Sequence, residues 1–162
     1  RGIRTGEPAT FAHETKRVEL AAMDAVMAAE KALGNDPVDV SSQKCGYDIE
    51  SLIRDGKGKM RFIEVKGRIA GAATVTVSKN EILTALNKPD DFILALVEVP
   101  PSSAFQDADP WEVGETMKRY GDVYNGCKVC YVRKPFTKEP DFGVTSVNYA
   151  LSELLAKGEP PR

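Results

Sequence analysis

Apolar and polar residues alternate along the chain with two different periods. From residue 15 to 33, TKRVELAAMDAVMAAEKAL, the residues Val18, Ala22, Ala25, Met27, Ala29 and Leu33 form one broad stripe at helical spacing, and Gly34 supplies a stop. This predicts a long helix. The period then shortens to two. PVDVSS (from Pro37), GYDIESLI (from Gly46) and KMRFIEVKGR (from Lys59) predict three strands, the last two joined by RDGKG, whose Asp-Gly pair signals a hairpin. GAATVTV is rich in Gly and Ala, then strand-like. SKNEILTALNKP predicts a short helix: Ser78 can cap it, Glu81 three residues on completes a capping box, and Asn87 and Pro89 end it. DDFILALVEV is the most apolar segment and predicts a central strand. Residues 100–126, with Pro100, Pro101, Pro110, Gly114, Gly121 and Gly126, predict a loop. CKVCYVR predicts a further strand, and SVNYALSELLAKG a closing helix from a Ser146 cap to Gly158. The succession predicts a mixed sheet covered by helices, an α/β layer architecture. The expected domain spans 15–158, after a linker (1–14) and before a tail (159–162).

Composition narrows the classes. The 162 residues suit one domain, and 42% hydrophobic with 28% charged residues is ordinary for a globular chain with a core. The formal net charge of −2 argues against a polybasic nucleic-acid tail or a membrane-surface patch, so any DNA contact is local. The longest apolar run, FILALVEV, is too short to span a bilayer, and no membrane partner is expected. The opening RGIRTGEPAT, without a starting Met, reads as a piece of a longer protein. Cys45, Cys127 and Cys130 do not suggest a disulfide scaffold, and a reducing, cytoplasmic setting is the default. CKVC is formally a C-x-x-C. A zinc site would need two further ligands, with only Cys45 and the single His13 on offer, and strand-like YVRKPF follows the pair. A strand with small half-buried residues is the expected reading.

The chemistry concentrates in IEVKGR. On a strand alternate side chains share a face, so Glu64 and Lys66 point one way while Ile63 and Val65 point to the core. GYDIES places Asp48 one strand earlier. Two carboxylates can bind a hard cation such as Mg2+ (or Mn2+), which neutralises phosphate charge and acidifies water; a lysine beside them can stabilise the attacking hydroxide or the developing charge. Parity is the test. Asp48 shares a face with Glu64 only if paired residue numbers sum to an even value, which requires an odd loop such as Asp55–Lys57 or Asp55–Lys59. A two-residue Gly56–Lys57 turn would place Asp48 on the wrong face.

Asp48 followed by Glu64-Val65-Lys66 resembles the PD-(D/E)xK signature of restriction-endonuclease-like nucleases. The ordered string GYDIES, RFIEVKGR, TVSKNEIL, FILALVEV, VRKPF and EPDFGV resembles, from about Val18 to Leu155, the domain family named after the C-terminus of the plant protein NO VEIN. That domain is often attached to the end of Swi/Snf-type superfamily 2 helicases, some in restriction or anti-phage systems. The resemblance implies a restriction-endonuclease-like mixed sheet, with DNA and the helicase part of the same parent chain as partners. It implies Asp48 and Glu64 as metal ligands, Lys66 as the catalytic lysine, and the Val65 carbonyl as a further ligand. Such nucleases often add an acid from the first helix: Asp24 is the expected position, with Glu19 and Glu30 as rivals. Tyr47 stands where the signature has Pro.

Each feature has a plainer reading. Asp48, Glu64 and Lys66 would otherwise be ion pairs on an exposed sheet face. The start of SKNE offers N–H groups to a DNA phosphate, assisted by Lys79 and Asn80, or is only a cap. Lys44, Arg68 and Lys79 flank the proposed site and could grip a backbone, or are simply solvated. Trp111 and Tyr120 suit a satellite cluster better than a base-stacking platform, and His13 has no visible role. Three functions follow: a Mg2+-dependent DNA endonuclease module beside a helicase; a catalytically inactive module of the same fold that binds DNA or a partner and regulates the helicase; and a purely structural closing domain.

Overall fold

The computed structural model describes residues 7–101 and 126–162, with side chains from Glu14 onward. Trp111, Tyr120, most of the expected loop and the side chain of His13 lie outside the described residues. Helix α1 (Glu7–Ala32) opens the domain, followed by strand β1 (Asp36–Asp39), a 3-10 turn (Ser41–Gln43), β2 (Ile49–Leu52), β3 (Met60–Ile69), β4 (Thr74–Ser78), helix α2 (Lys79–Asn87), β5 (Phe92–Val99), β6 (Lys128–Arg133), β7 (Ser146–Ala150) and helix α3 (Leu151–Ala156). Five strands form one sheet in the order β1-β2-β3-β5-β6, and β4 pairs with β7 in a second, two-stranded sheet. β3 and β5 run parallel; the other pairs are antiparallel. The domain is therefore α/β with a mixed sheet flanked by helices, as the hydrophobic pattern predicts. Among the described residues no helix is long and apolar enough to cross a membrane.

Each face of the large sheet carries its own core. On one, Val18, Ala21, Ala22, Ala25 and Val26 of α1 pack on Ile49, Ile63, Ile93, Ala95 and Val97. On the other, Phe92, Leu94, Leu96 and Val132 pack against Val75 and Val77 of β4, Ile82 and Ala85 of α2, and Leu151 and Leu154 of α3. β5 supplies both faces from its alternate residues, which is why its sequence is apolar throughout. The packing of α1 on β3 is close at Gly67, where a Cβ would come within 2.6 Å of the Ala22 Cβ. Small residues on both sides let helix and strand approach.

Three boundaries differ from the sequence reading. α1 begins at Glu7, with Pro8 in its first turn where the missing N–H costs nothing, so the expected linker 1–14 is largely helix. The expected closing helix from Ser146 is in fact β7 followed by the six-residue α3. Val147 and Tyr149 pack against the core from a strand, Thr76 bonds Asn148 across the ladder at 2.6 Å, and Ser146 caps nothing. The expected tail is fastened: Glu159 exchanges backbone bonds with Tyr131 at 2.8 and 3.0 Å, and the Arg162 carbonyl accepts from Arg61 and Arg133 at 2.9 and 2.6 Å.

CKVC is a strand entry, as expected. Cys127 packs with the α1-side core and Cys130 with the other, on opposite faces of the sheet, so the two thiols cannot share one metal. Burial pushes both thiols up.

Candidate functional site

The register between β2 and β3 settles the parity question. Ile49 pairs with Ile63 and Leu52 with Met60, every pair summing to an even number, around a connection centred on Gly56. Gly56 has a φ of +78°, a turn conformation that favours glycine. One step beyond Ile49, Asp48 stands opposite Glu64. Its N–H donates to the Ile63 carbonyl at 2.9 Å and its carbonyl accepts from Val40 at 2.8 Å. The chain then leaves the sheet through Tyr47 and Gly46. Gly46 has a φ of +91°, and a Cβ there would run into the Thr84 side chain of α2. This glycine lets the Asp48 loop settle on α2.

Departure of the chain at Asp48 leaves the following part of β3 without a backbone partner on that side. The Asp48 carboxylate takes over, accepting the Val65 N–H at its Oδ2, 2.9 Å away. A strand residue turns its N–H and carbonyl toward the same neighbour, so the Val65 carbonyl also faces this open edge. Glu64 and Lys66 project to the α2 face of the sheet, where their strand neighbours on β5 are Leu94 and Leu96. Glu64 is only 4% exposed. Lys66 Nζ lies 3.4 Å from Glu64 Oε1 and 2.9 Å from Glu81 Oε1.

Glu81 is the site residue that sequence reasoning left out. Its capping role is real: the Ser78 Oγ accepts the Glu81 N–H at 3.1 Å, and the Glu81 carboxylate accepts the Ser78 N–H at 2.8 Å. The same carboxylate reaches Lys66. Its spacing from Ser78 signals the cap alone, since contact with β3 depends on the fold.

Three carboxyl groups and one ammonium therefore meet. Glu64 lies within hydrogen-bonding reach of Glu81 and Asp48. Burial, the bond to Glu81 and the nearby Asp48 charge push the Glu64 carboxyl up to about 10. It holds a proton at neutral pH and can donate it in a hydrogen bond to the Glu81 carboxylate. Asp48 is also raised, through burial, while hydrogen bonds from Glu64 and Ser78 and the Lys66 charge keep Glu81 below the ordinary range. Among the described residues no three acid, imidazole or thiol groups form a ready-made metal cage.

Two cavities, of about 420 and 240 Å³, adjoin at Ser41, Asp48 and Glu64. The larger is walled by α1, including Glu19 and Asp24, and by Val65 and Lys66. Asp24 thus stands on the wall where the first-helix acid was expected, with Glu19 beside it. Glu30 does not: it is fully buried, accepting from Tyr131 at 2.8 Å and Asn35 at 3.2 Å and facing Arg61 at 3.4 Å. It is a structural anchor. The smaller cavity is lined by Lys44 and Asn80. Arg68 lines a third cavity of about 380 Å³, which shares Glu19, Lys66 and Gly67 with the first. At the start of α2 the Lys79 N–H bonds the Thr145 carbonyl at 2.8 Å and the Glu81 N–H is capped, so this end offers fewer donors to a phosphate than SKNE suggests.

Fold and site together define the class: a mixed α/β domain with a half-buried acid–lysine cluster at the open edge of a central strand. A family model described as "Protein NO VEIN, C-terminal" matches residues 18–107, more than half of the chain. The chain belongs to that family. The match takes in Asp48, Glu64, Lys66 and Glu81, whereas VRKPF and EPDFGV lie beyond its end. No curated protein and no solved structure matches.

Proposed function

We propose that this domain is a metal-dependent phosphodiesterase acting on DNA, working beside a helicase part of a longer chain, as the sequence resemblance implies. The observation that supports the reading most is the meeting of Asp48, Glu64 and Lys66 on one face at the mouth of a cleft. The donor set fits a hard divalent cation: Asp48, Glu64 and the Val65 carbonyl offer only oxygen, and three acids against one lysine leave a surplus of negative charge. When bound, Mg2+ or Mn2+ would supply charge neutralisation at the phosphate and a more acidic water. The remaining work belongs to the chain. Asp48 holds the Val65 amide and fixes the open strand edge. Lys66 brings a positive charge to the developing oxyanion. Lys44 and Asn80 line the smaller cavity and Arg68 the third; with Lys79, next to Asn80 in the chain, they would hold the flanking backbone.

The test is cleavage of plasmid and single-stranded DNA with Mg2+ or Mn2+, by the domain and by its parent chain. Lys66→Ala should abolish cutting, by about 100-fold or more if the lysine meets transition-state charge. A second reading draws on Lys66 being already engaged by the Glu64 and Glu81 carboxyl groups: a non-catalytic module that binds DNA or a partner. DNA binding without cleavage, unchanged in Lys66→Ala, would establish that reading and remove the first.

A further inference from the structure

Lys66 carries a long, flexible stem, and an ammonium on such a stem acts at one place only if something holds it there. It has two carboxyl neighbours of different character. Glu64 is deeply buried and on the proposed reading committed to an ion. Glu81 needs no such commitment. Its carboxylate is fixed by the Ser78 N–H at 2.8 Å, and its own N–H by the Ser78 Oγ at 3.1 Å. Ile82 and Ala85, on the following turn, are buried in the core and set the helix in place. The Glu81 oxygens contact Lys66 Nζ at 2.9 and 3.2 Å, closer than Glu64 does at 3.4 Å. A capping box normally uses its glutamate only to close the helix. Here both Glu81 oxygens also reach a lysine of another element.

We propose that Glu81 is a positioning residue for Lys66. The capping box orients the carboxylate, and the carboxylate holds the ammonium at the Asp48–Glu64 end of the cleft, including when Glu64 is engaged elsewhere. The effect on cleavage rests on the proposed function; the placement of Lys66 does not.

Two readouts separate them. Glu81→Gln keeps an acceptor for the Ser78 N–H and removes the charge that holds Lys66. Acylation of the folded protein with an N-hydroxysuccinimide ester, followed residue by residue by mass spectrometry, should find wild-type Lys66 slower than exposed Lys57, and several-fold faster in Glu81→Gln. Ser78→Ala, which loosens the cap but leaves the pair, should lower the melting temperature with Lys66 reactivity moving far less. In the DNA assay Glu81→Gln should lower kcat by about 10- to 100-fold, the range for residues that orient metal-site groups, with KM nearly constant. The proposal is overturned if wild-type Lys66 reacts as fast as Lys57, if Glu81→Gln leaves its reactivity unchanged, or if Ser78→Ala raises it equally. Should Glu81→Gln not fold, Glu81→Asp, one methylene shorter, takes its place. A wild type that shows the labelling pattern but cuts no DNA under any condition would remove the nuclease reading and leave the positioning role standing.

Discussion

Replacing Gly67 with alanine tests the approach of α1 to β3 on which the cleft depends. Gly67 follows Lys66 directly, and an added Cβ would meet the Ala22 Cβ at 2.6 Å, the Val18 carbonyl at 3.0 Å and a Val18 methyl at 3.3 Å. Carbon atoms rest at about 3.5–4.0 Å, so α1 must retreat by about 1 Å. Overpacking of this kind costs about 1–3 kcal/mol. Against it stands the usual benefit of a Gly→Ala change in an unstrained backbone, about 0.4–1 kcal/mol through the unfolded chain. The clash should win, with a net loss of about 1–2 kcal/mol, or roughly 2–8 °C in melting temperature for a chain this size. Ala22→Gly alone should also cost about 2 kcal/mol, from lost helix propensity and one buried methyl. The double variant removes the worst contact, so its cost should fall at least about 1 kcal/mol short of the sum. Urea denaturation of the four proteins measures this coupling. Simple additivity, or a Gly67→Ala protein more stable than wild type, would refute the close approach and the cleft wall built on it.

Two further outcomes follow from the geometry. Glu30→Ala leaves Arg61 buried without its carboxylate and Tyr131 without its acceptor; a loss of about 3–5 kcal/mol is expected, and one below about 1 kcal/mol in thermal or urea melts would mean that the cluster carries little. Mg2+ at ten times its dissociation constant should stabilise the wild type by about 1.4 kcal/mol and leave Asp48→Asn unmoved, as read by differential scanning fluorimetry; equal shifts in both would place the ion elsewhere.

Much of the layout was readable where neighbours in sequence decide it. The period-two spacing of Glu64 and Lys66 put both on one face, and Ser78 with Glu81 marked the start of α2. The side taken by Asp48 stays open in the sequence, between an odd loop and a two-residue turn; the register centred on Gly56 sets it opposite Glu64. What local sequence does not carry depends on distant partners. SVNYALSELLAKG places Val147, Ala150, Leu151 and Leu154 at helical intervals, so its first half passes for helix. The unpaired flank of β4 decides in favour of β7. Glu30 looked like a rival ligand because it sits on the first helix. Only the fold brings Arg61 from β3 and Tyr131 from β6 against it. The second role of Glu81 was hidden because the cap already explained the residue.

The cost of Glu64 tells most directly why the cluster exists. Its neighbours on β5, on the same face of the sheet, are Leu94 and Leu96, an apolar side on which a buried residue is ordinarily apolar too. Instead a carboxyl is 4% exposed and holds its proton up to about 10, against an ordinary 4.5. Between those values the folded protein binds a proton that the unfolded chain has released, so stability falls as pH rises through the window. At pH 7 the penalty is roughly 3 kcal/mol, since each pH unit above the ordinary value costs about 1.4 kcal/mol. Glu64→Gln is a neutral isostere of the protonated acid and escapes it. In EDTA the variant should therefore gain roughly 4 kcal/mol on the wild type between pH 5 and pH 8, and be the more stable protein at pH 8 by about 2–4 kcal/mol once about 1–3 kcal/mol for imperfect amide hydrogen bonds is allowed for. It should also lack the Mg2+ stabilisation expected of the wild type on the proposed function. A variant less stable than wild type at pH 8, or a gap that ignores pH, would mean that Glu64 is an ordinary structural partner of Lys66. On the proposed function, the carboxyl that weakens the empty fold would strengthen the ion-bound one, and the stability lost at Glu64 would be the cost of an ion site, since stability is commonly traded against activity at functional positions.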